Sequence, residues 1–179
     1  KQIETTTLLG KNATELNFKD NIKKELIHIA THGFFKENEE INKNPDIGLF
    51  FANSGNYLTN EIKRDFFAND NVLNDNELRY INFSRTKLLV LSACETAVSV
   101  SSFIGGYSLS ELFIHSGAKN VISTLWKVDD KVTQKFMVIF YEMISEGNSI
   151  ELSIKLTKQK IKEIYPQPYY WAPFILLSS

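Results

Sequence analysis

Lys87-Leu88-Leu89-Val90-Leu91-Ser92-Ala93-Cys94-Glu95-Thr96 is the stretch whose reading decides the fold. Its first half is a near-continuous apolar run, the pattern of a strand covered on both faces of a parallel sheet. Its second half places a cysteine just beyond the strand's end. Leu26-Ile27-His28-Ile29-Ala30-Thr31 repeats the design and runs into His32-Gly33. Lys119-Asn120-Val121-Ile122-Ser123-Thr124-Leu125 predicts a third strand, and Phe174-Ile175-Leu176-Leu177 a further one.

Helical patterns fall between these runs. Residues 108–116 carry Leu109, Leu112 and Phe113 on one face, and Gly117 stops the helix. Val132, Phe136, Ile139, Phe140 and Met143 mark a long amphipathic helix ended by Gly147. Ile150, Ile154, Ile161 and Ile164 mark another, which stops before Pro166 and Pro168. Thr59 is expected to cap a helix reaching about Phe67, with Glu61 in its first turn. Ile47 to Ala52, Ser54-Gly55-Asn56 and Tyr57-Leu58 read as a small hairpin, Gly-Asn supplying positive φ. The polar, Asn-rich stretches 36–46 and 69–77 read as surface loops. Strands alternating with helices predict a three-layer α/β domain with a mainly parallel central sheet.

The bulk properties narrow the function. With 179 residues, one domain over 1–179 is expected, large enough for a full core without staples. Twenty basic and 21 acidic residues give a net charge of -1, which points to neither nucleic acid nor an anionic membrane. One cysteine permits no internal disulfide and fits a reducing cytoplasm. No apolar run approaches the ~20 residues that span a bilayer. No apolar signal region is read in Lys1 to Asp20, and a chain starting at Lys1 is expected to be a fragment or trimmed product.

In parallel α/β sheets, ligands bind outside the carboxyl ends of the strands. Neighbouring strands would bring His32 and Cys94 to one rim, as a cysteine peptidase needs. There the thiolate attacks, and the imidazole favours it and later protonates the leaving amine. Gly33 lets a substrate backbone approach, and its N–H with that of Cys94 suits an oxyanion hole. The competing reading is a buried structural cysteine and a hydrogen-bonded histidine. Zinc is the chemical competitor. His28 and His32 would share a helix face, but on a strand they lie about 13 Å apart, too far for one metal. His115 has no evident partner. No metal and no cofactor are expected.

Across nearly its whole length the chain resembles the CHAT family, caspase-like cysteine peptidases of clan CD often attached to tetratricopeptide repeats. The resemblance rests on Leu8-Leu9-Gly10-Lys11-Asn12-Ala13-Thr14-Glu15, on Ala30-Thr31-His32-Gly33, and on Tyr57-Leu58-Thr59-Asn60-Glu61-Ile62. It continues in Leu91-Ser92-Ala93-Cys94-Glu95-Thr96, in Leu125-Trp126-Lys127-Val128-Asp129-Asp130, and in Pro168-Tyr169-Tyr170-Trp171-Ala172-Pro173-Phe174. It implies a caspase–hemoglobinase fold with His32 as base, Cys94 as nucleophile and the Gly33 and Cys94 amides as oxyanion hole. It implies a protein substrate and a regulatory repeat domain or complex, in prokaryotic systems that include defence. The balanced charge and the short apolar runs give the expectation of no direct nucleic-acid binding by this domain and no membrane.

The chain departs from the family in three places. Residues 98–104 lack the usual glycines, which arrive only at Gly105-Gly106. The insert 69–83 is long. Family members usually carry further sequence before Leu8-Leu9-Gly10, so the chain is expected to be the catalytic part of a larger protein. Polar loops at 36–46, 69–83 and 98–104 predict latency until a partner orders them. Specificity candidates are Ser92, Glu95, Trp126 and Asp130. Relatives that cleave after Arg or Lys carry Asp where Ser92 stands. Asp130 resembles a separase residue lining the first specificity pocket, though Asp129 or Asp130 also suits a helix N-cap. Trp126 and Trp171 suit either a groove wall or core packing. Glu95 would orient substrate or His32, but would also raise the thiol's pKa. Two other functions fit the sequence, a non-catalytic interaction module and a thiol acyltransferase.

Overall fold

A computed structural model describes residues 5–36, 46–56, 69–92 and 108–179. Three runs expected as strands form the parallel part of a four-stranded sheet: β1 (Leu26–Ala30), a later strand at Leu88–Ser92 and another at Asn120–Thr124. Two strands that sequence reasoning did not separate, β2 (Gly33–Lys36) and β4 (Val72–Asn74), flank β3 (Asp46–Phe50) in a small antiparallel sheet. The main-sheet strands after β1 are therefore β5 (Leu88–Ser92), β6 (Asn120–Thr124) and β7 (Phe174–Ser178). The sheet order is β1-β5-β6-β7, with β7 antiparallel to β6.

Each strand of the main sheet shows different neighbours on its two faces, as a period of two requires. On one face Leu89, Leu91 and Val121 meet α1 (Glu15–Asp20), α2 (Asp75–Leu78) and α3 (Leu109–His115) through Phe18, Leu78, Leu109, Leu112 and Phe113. On the other, Leu88, Val90 and Ile122 meet α4 (Asp130–Ser145) and α5 (Ile150–Ile164) through Val132, Phe136, Phe140, Ile154 and Ile161. The result is the expected three-layer arrangement. The sixth helix, α6 (Pro168–Trp171), leads into β7. Central β5 is buried along Leu88 to Leu91, whereas edge strand β1 leaves Leu26 44% exposed. Among the described residues this apolar run is an edge strand, with β5 as its one neighbour.

The helix ends follow their sequence signals. Ser108 accepts from Glu111 N–H at 3.2 Å while the Glu111 carboxylate returns to Ser108 N–H at 2.7 Å, a capping box. Gly117 ends the turn after α3 at φ 106, and a Cβ there would lie 2.9 Å from Ser84 N. Gly147 closes α4 at φ 89.

Three expectations are corrected. Instead of the first arm of a hairpin, Asp46–Phe50 forms β3, which pairs with β2 and β4, and Ser54–Asn56 is a short 3₁₀ turn; the expected second arm at 57–58 lies outside the described residues. The positive φ falls on Asn53, at 72°, rather than on Gly55. Residues 57–68, including the helix expected from Thr59, lie outside the described residues. The stretch 69–77 is not a surface loop, since Val72 and Leu73 are fully buried and Asn74 starts α2 with a capping box. Its dense Asn and Asp content serves turns and caps, which hid a three-residue strand.

A buried polar cluster ties α1 to this segment. Glu15 Oε2 accepts the Asn71 N–H at 2.8 Å, and the Lys19 ammonium bridges Glu15 and, at 2.9 Å, Glu77. Burial pushes the Glu15 carboxyl from the ordinary 4.5 up to about 7, against the opposing pull of Lys19. The folded chain therefore holds a proton that the unfolded chain releases between about pH 4.5 and 7. Stability is expected to fall as pH rises through that window. Denaturant titrations at several pH values should show this slope in the native chain and a flatter profile in Glu15→Gln. Phe136 stacks on Phe174 with ring centroids 3.6 Å apart, both fully buried. Phe136→Ala should cost about 3–5 kcal/mol in urea unfolding.

Candidate active site

Three parallel strands deliver their carboxyl ends to one rim. β5 lies between β1 and β6. The β1–β5 register ends at Ala30↔Ser92. From Ala30 the chain passes through Thr31 to His32, an exposed residue. From Ser92 it passes into 93–107, which lie outside the described residues and contain Cys94 and Glu95. From Thr124 it passes through Trp126 to Asp129 and the first turn of α4.

His32 is held by its backbone. Phe50 N–H donates to His32 O at 2.9 Å, and Thr31 Oγ1 donates to Phe50 O. Gly33 pairs with Leu49 in the next position of the β2–β3 ladder. Antiparallel pairs alternate between hydrogen-bonded and open, so Gly33 occupies an open position and its N–H points away from β3. Among the described residues β2 is an edge strand, so no strand takes that N–H. The Gly33 N–H therefore faces away from β3, next to His32, with no strand partner among the described residues.

The specificity candidates separate. Asp129, not Asp130, caps α4, accepting from Lys131 N–H at 2.9 Å and Val132 N–H at 3.3 Å. Asp130 is exposed in the first helical turn, with no polar partner among the described residues. Trp126 is tied down: its Nε1–H donates to Tyr169 O at 3.1 Å, its ring stacks on Tyr169, and Tyr169 Oη donates to Lys127 O at 2.7 Å. These contacts hold Trp126 against α6. Trp171 sits on the far side of α6, donating to Pro166 O at 3.3 Å.

Sequence reasoning missed one cluster. His28 Nε2 lies 2.9 Å from Ser92 Oγ, and His28 Nδ1 lies 2.9 Å from Tyr141 Oη. Ser92 is therefore engaged by a histidine one strand away, on the face covered by α4. Parallel register explains the pair: His28 aligns with Val90, and Ser92 follows on the same face. The i, i+4 spacing of His28 and His32 had drawn attention to metal instead. Both ring nitrogens of His28 face hydroxyls, while His32 lies beyond the strand end. Among the described residues no His, Cys, Asp and Glu cluster could hold a metal. Burial lowers the His28 pKa below the ordinary imidazole value, and the Tyr141 phenol is raised by the same cause.

The CHAT domain family matches residues 1–179, the whole chain. The chain belongs to the CHAT family. CHAT domains are caspase-like and related to cysteine peptidases. No curated protein matches this CHAT domain closely enough to lend it a function. No helix among its described residues is long and apolar enough to cross a membrane.

The His28 environment is directly measurable. An NMR titration should place its midpoint below the ordinary ~6.5, and Tyr141→Phe should alter the His28 ring shifts while leaving those of His115 in place. A midpoint at or above that value would contradict the hydroxyl-flanked setting.

Proposed function

We propose that this CHAT domain is a cysteine endopeptidase in which Cys94 is the nucleophile and His32 the general base. The observation that carries the reading is the β1–β5 register. Its last pair is Ala30↔Ser92, and His32 and Cys94 each follow two residues later in the sequence. Two adjacent parallel strands thus run toward the same rim, one leading to an imidazole and the other to a thiol. The whole-chain family match supports the same chemistry.

The reaction follows from those groups. The Cys94 thiolate attacks the scissile carbonyl carbon, forming a C–S bond and an oxyanion. The backbone N–H groups of Gly33 and Cys94 stabilise that oxyanion. The C–N bond breaks as His32 protonates the leaving amine, giving an acyl-enzyme. His32 then takes a proton from water, the hydroxide attacks the thioester, and the thiolate departs with release of the acid. Cys94→Ala and His32→Ala are expected to abolish turnover of the protein substrate. The mass of the products should show addition of water; transfer to another acceptor would mark an acyltransferase instead.

Asp130 is the proposed specificity residue. Asp129 already serves as cap, which frees the Asp130 carboxylate at the rim beyond β6 for a basic P1 side chain. A charge-assisted hydrogen bond is worth about 1.5–3 kcal/mol. Asp130→Ala should therefore lower kcat/KM for Arg or Lys at P1 by about 10- to 100-fold relative to neutral P1 residues. Asp129→Ala should instead cost about 1 kcal/mol of stability and leave that ratio unchanged. Equal P1 ratios in native and Asp130→Ala protein would remove Asp130 from the pocket.

The domain is proposed to act on a dedicated protein substrate in the cytoplasm, under control of a repeat domain or other partner in a regulated prokaryotic system. The chain is proposed to be one peptidase domain of a larger protein. Full turnover by the isolated domain would exclude partner-dependent latency.

A further inference from the structure

The far edge of the main sheet carries a surface that the peptidase reading does not use. Among the described residues β7 is the last strand in the order, paired with β6 on one side only. Leu125 N–H donates to Pro173 O at 3.0 Å, and Ser179 N–H donates to Lys119 O at 3.0 Å. With Ile175 opposite Ser123 and Leu177 opposite Val121, the odd-numbered residues hold the bonds to β6. The N–H and C=O groups of Phe174, Leu176 and Ser178 therefore point outward. Phe174-Ile175-Leu176-Leu177-Ser178 contains no charge and no proline to discourage pairing. Such an edge invites another strand unless something covers it.

Alongside this edge runs a groove of about 560 Å³, with α5 as its other wall. Lys155, Lys158 and Lys162 line it with Trp171, Ile175 and Leu176, and no carboxylate does. The three lysines recur at i, i+3 and i+7, one face of the helix. Lys162 Nζ sits 5.4 Å from the Trp171 ring centroid, and Lys158 Nζ donates weakly to Ala172 O at 3.4 Å. Among the described residues none of the three is paired with an acid. Burial lowers the Lys158 pKa, the response of a cation without a counter-charge.

We propose that this groove docks an extended acidic segment of a partner protein, which adds to β7 as a strand and turns carboxylates toward Lys155, Lys158 and Lys162. The outward amides supply the main-chain pairing, and the lysine row selects the charge. A second copy of the chain fits poorly. Pairing β7 with β7 in one continuous sheet would set both α5 helices on the same face, with two lysine rows opposed. A nucleic-acid strand would meet the lysines but cannot match alternating amide donors and acceptors.

The test uses the full-length protein and a fluorescent octapeptide of alternating Glu and Val. Controls are its Lys/Val counterpart, the Glu/Val peptide N-methylated at alternate amides, and a single-stranded oligonucleotide. The Glu/Val peptide should bind at least about tenfold more tightly than either peptide control, the more so at low salt. It should slow amide exchange at Leu176 and Ser178. The variant K155E/K158E/K162E should reverse the preference and bind the Lys/Val peptide, a gain that misfolding cannot produce. Failure of the Glu/Val peptide to bind, equal affinity for both charges, indifference to N-methylation, or displacement by the oligonucleotide would each overturn the proposal. So would concentration-dependent self-association through β7.

Discussion

The parallel pairing of β1 with β5 is the constraint on which the rest depends. Five consecutive residues align, from Leu26↔Leu88 to Ala30↔Ser92. A parallel pair cannot be closed by a tight turn, so the chain between them is long enough to hold a second sheet. That sheet begins at Gly33 and takes the His32 carbonyl as the first acceptor of its ladder. A slip of one residue would turn every side chain of β1 to the opposite face. It would remove Ile29 from the core and His28 from Ser92. The register therefore sets the strand end, the turn carrying His32 and the start of the Cys94 segment together.

His28, Ser92 and Tyr141 brace that pairing from the α4 side. Each neutral hydrogen bond contributes about 1 kcal/mol, a modest sum. The geometry matters more than the sum, because the chain of contacts joins β1, the last residue of β5 and the later half of α4. Ser92 is two residues before the proposed nucleophile. Anything that moves Ser92 moves the path into that segment. The brace thus ties packing on the α4 face to the carboxyl end of β5.

Much of this was legible in the sequence because burial writes itself into residue type. β5 and β6 are apolar because helices cover both faces, and Gly117 and Gly147 stop helices where positive φ is needed. The motifs around His32 and Cys94 mark the family, now matched over the whole chain. What was illegible follows from short elements and shared chemistry. β4 is three residues long and sits among asparagines that serve as caps and turns, so no period could emerge. β2 follows His32 directly, where the motif invites a loop. The partnership of His28 with Ser92 is separated by 64 residues, and only the register reveals it. Asp129 and Asp130 are equivalent caps on paper; the helix start chooses between them.

The β7 edge adds a second theme. Three parallel strands bring their carboxyl ends to the rim proposed for the chemistry, and among the described residues β7 leaves backbone unpaired beside a row of lysines. The two surfaces are joined through α6 and Trp126, which connect the loop after β6 to the start of β7. The central claim remains the pairing of an imidazole with a thiol at the rim. Its most direct test is the rate of Cys94 alkylation against pH, read by mass spectrometry of the Cys94 peptide in the full-length protein and in His32→Ala. The account predicts an inflection well below the ~8.5 of an ordinary thiol that returns toward that value in the variant. An inflection near the ordinary value in both proteins would contradict it.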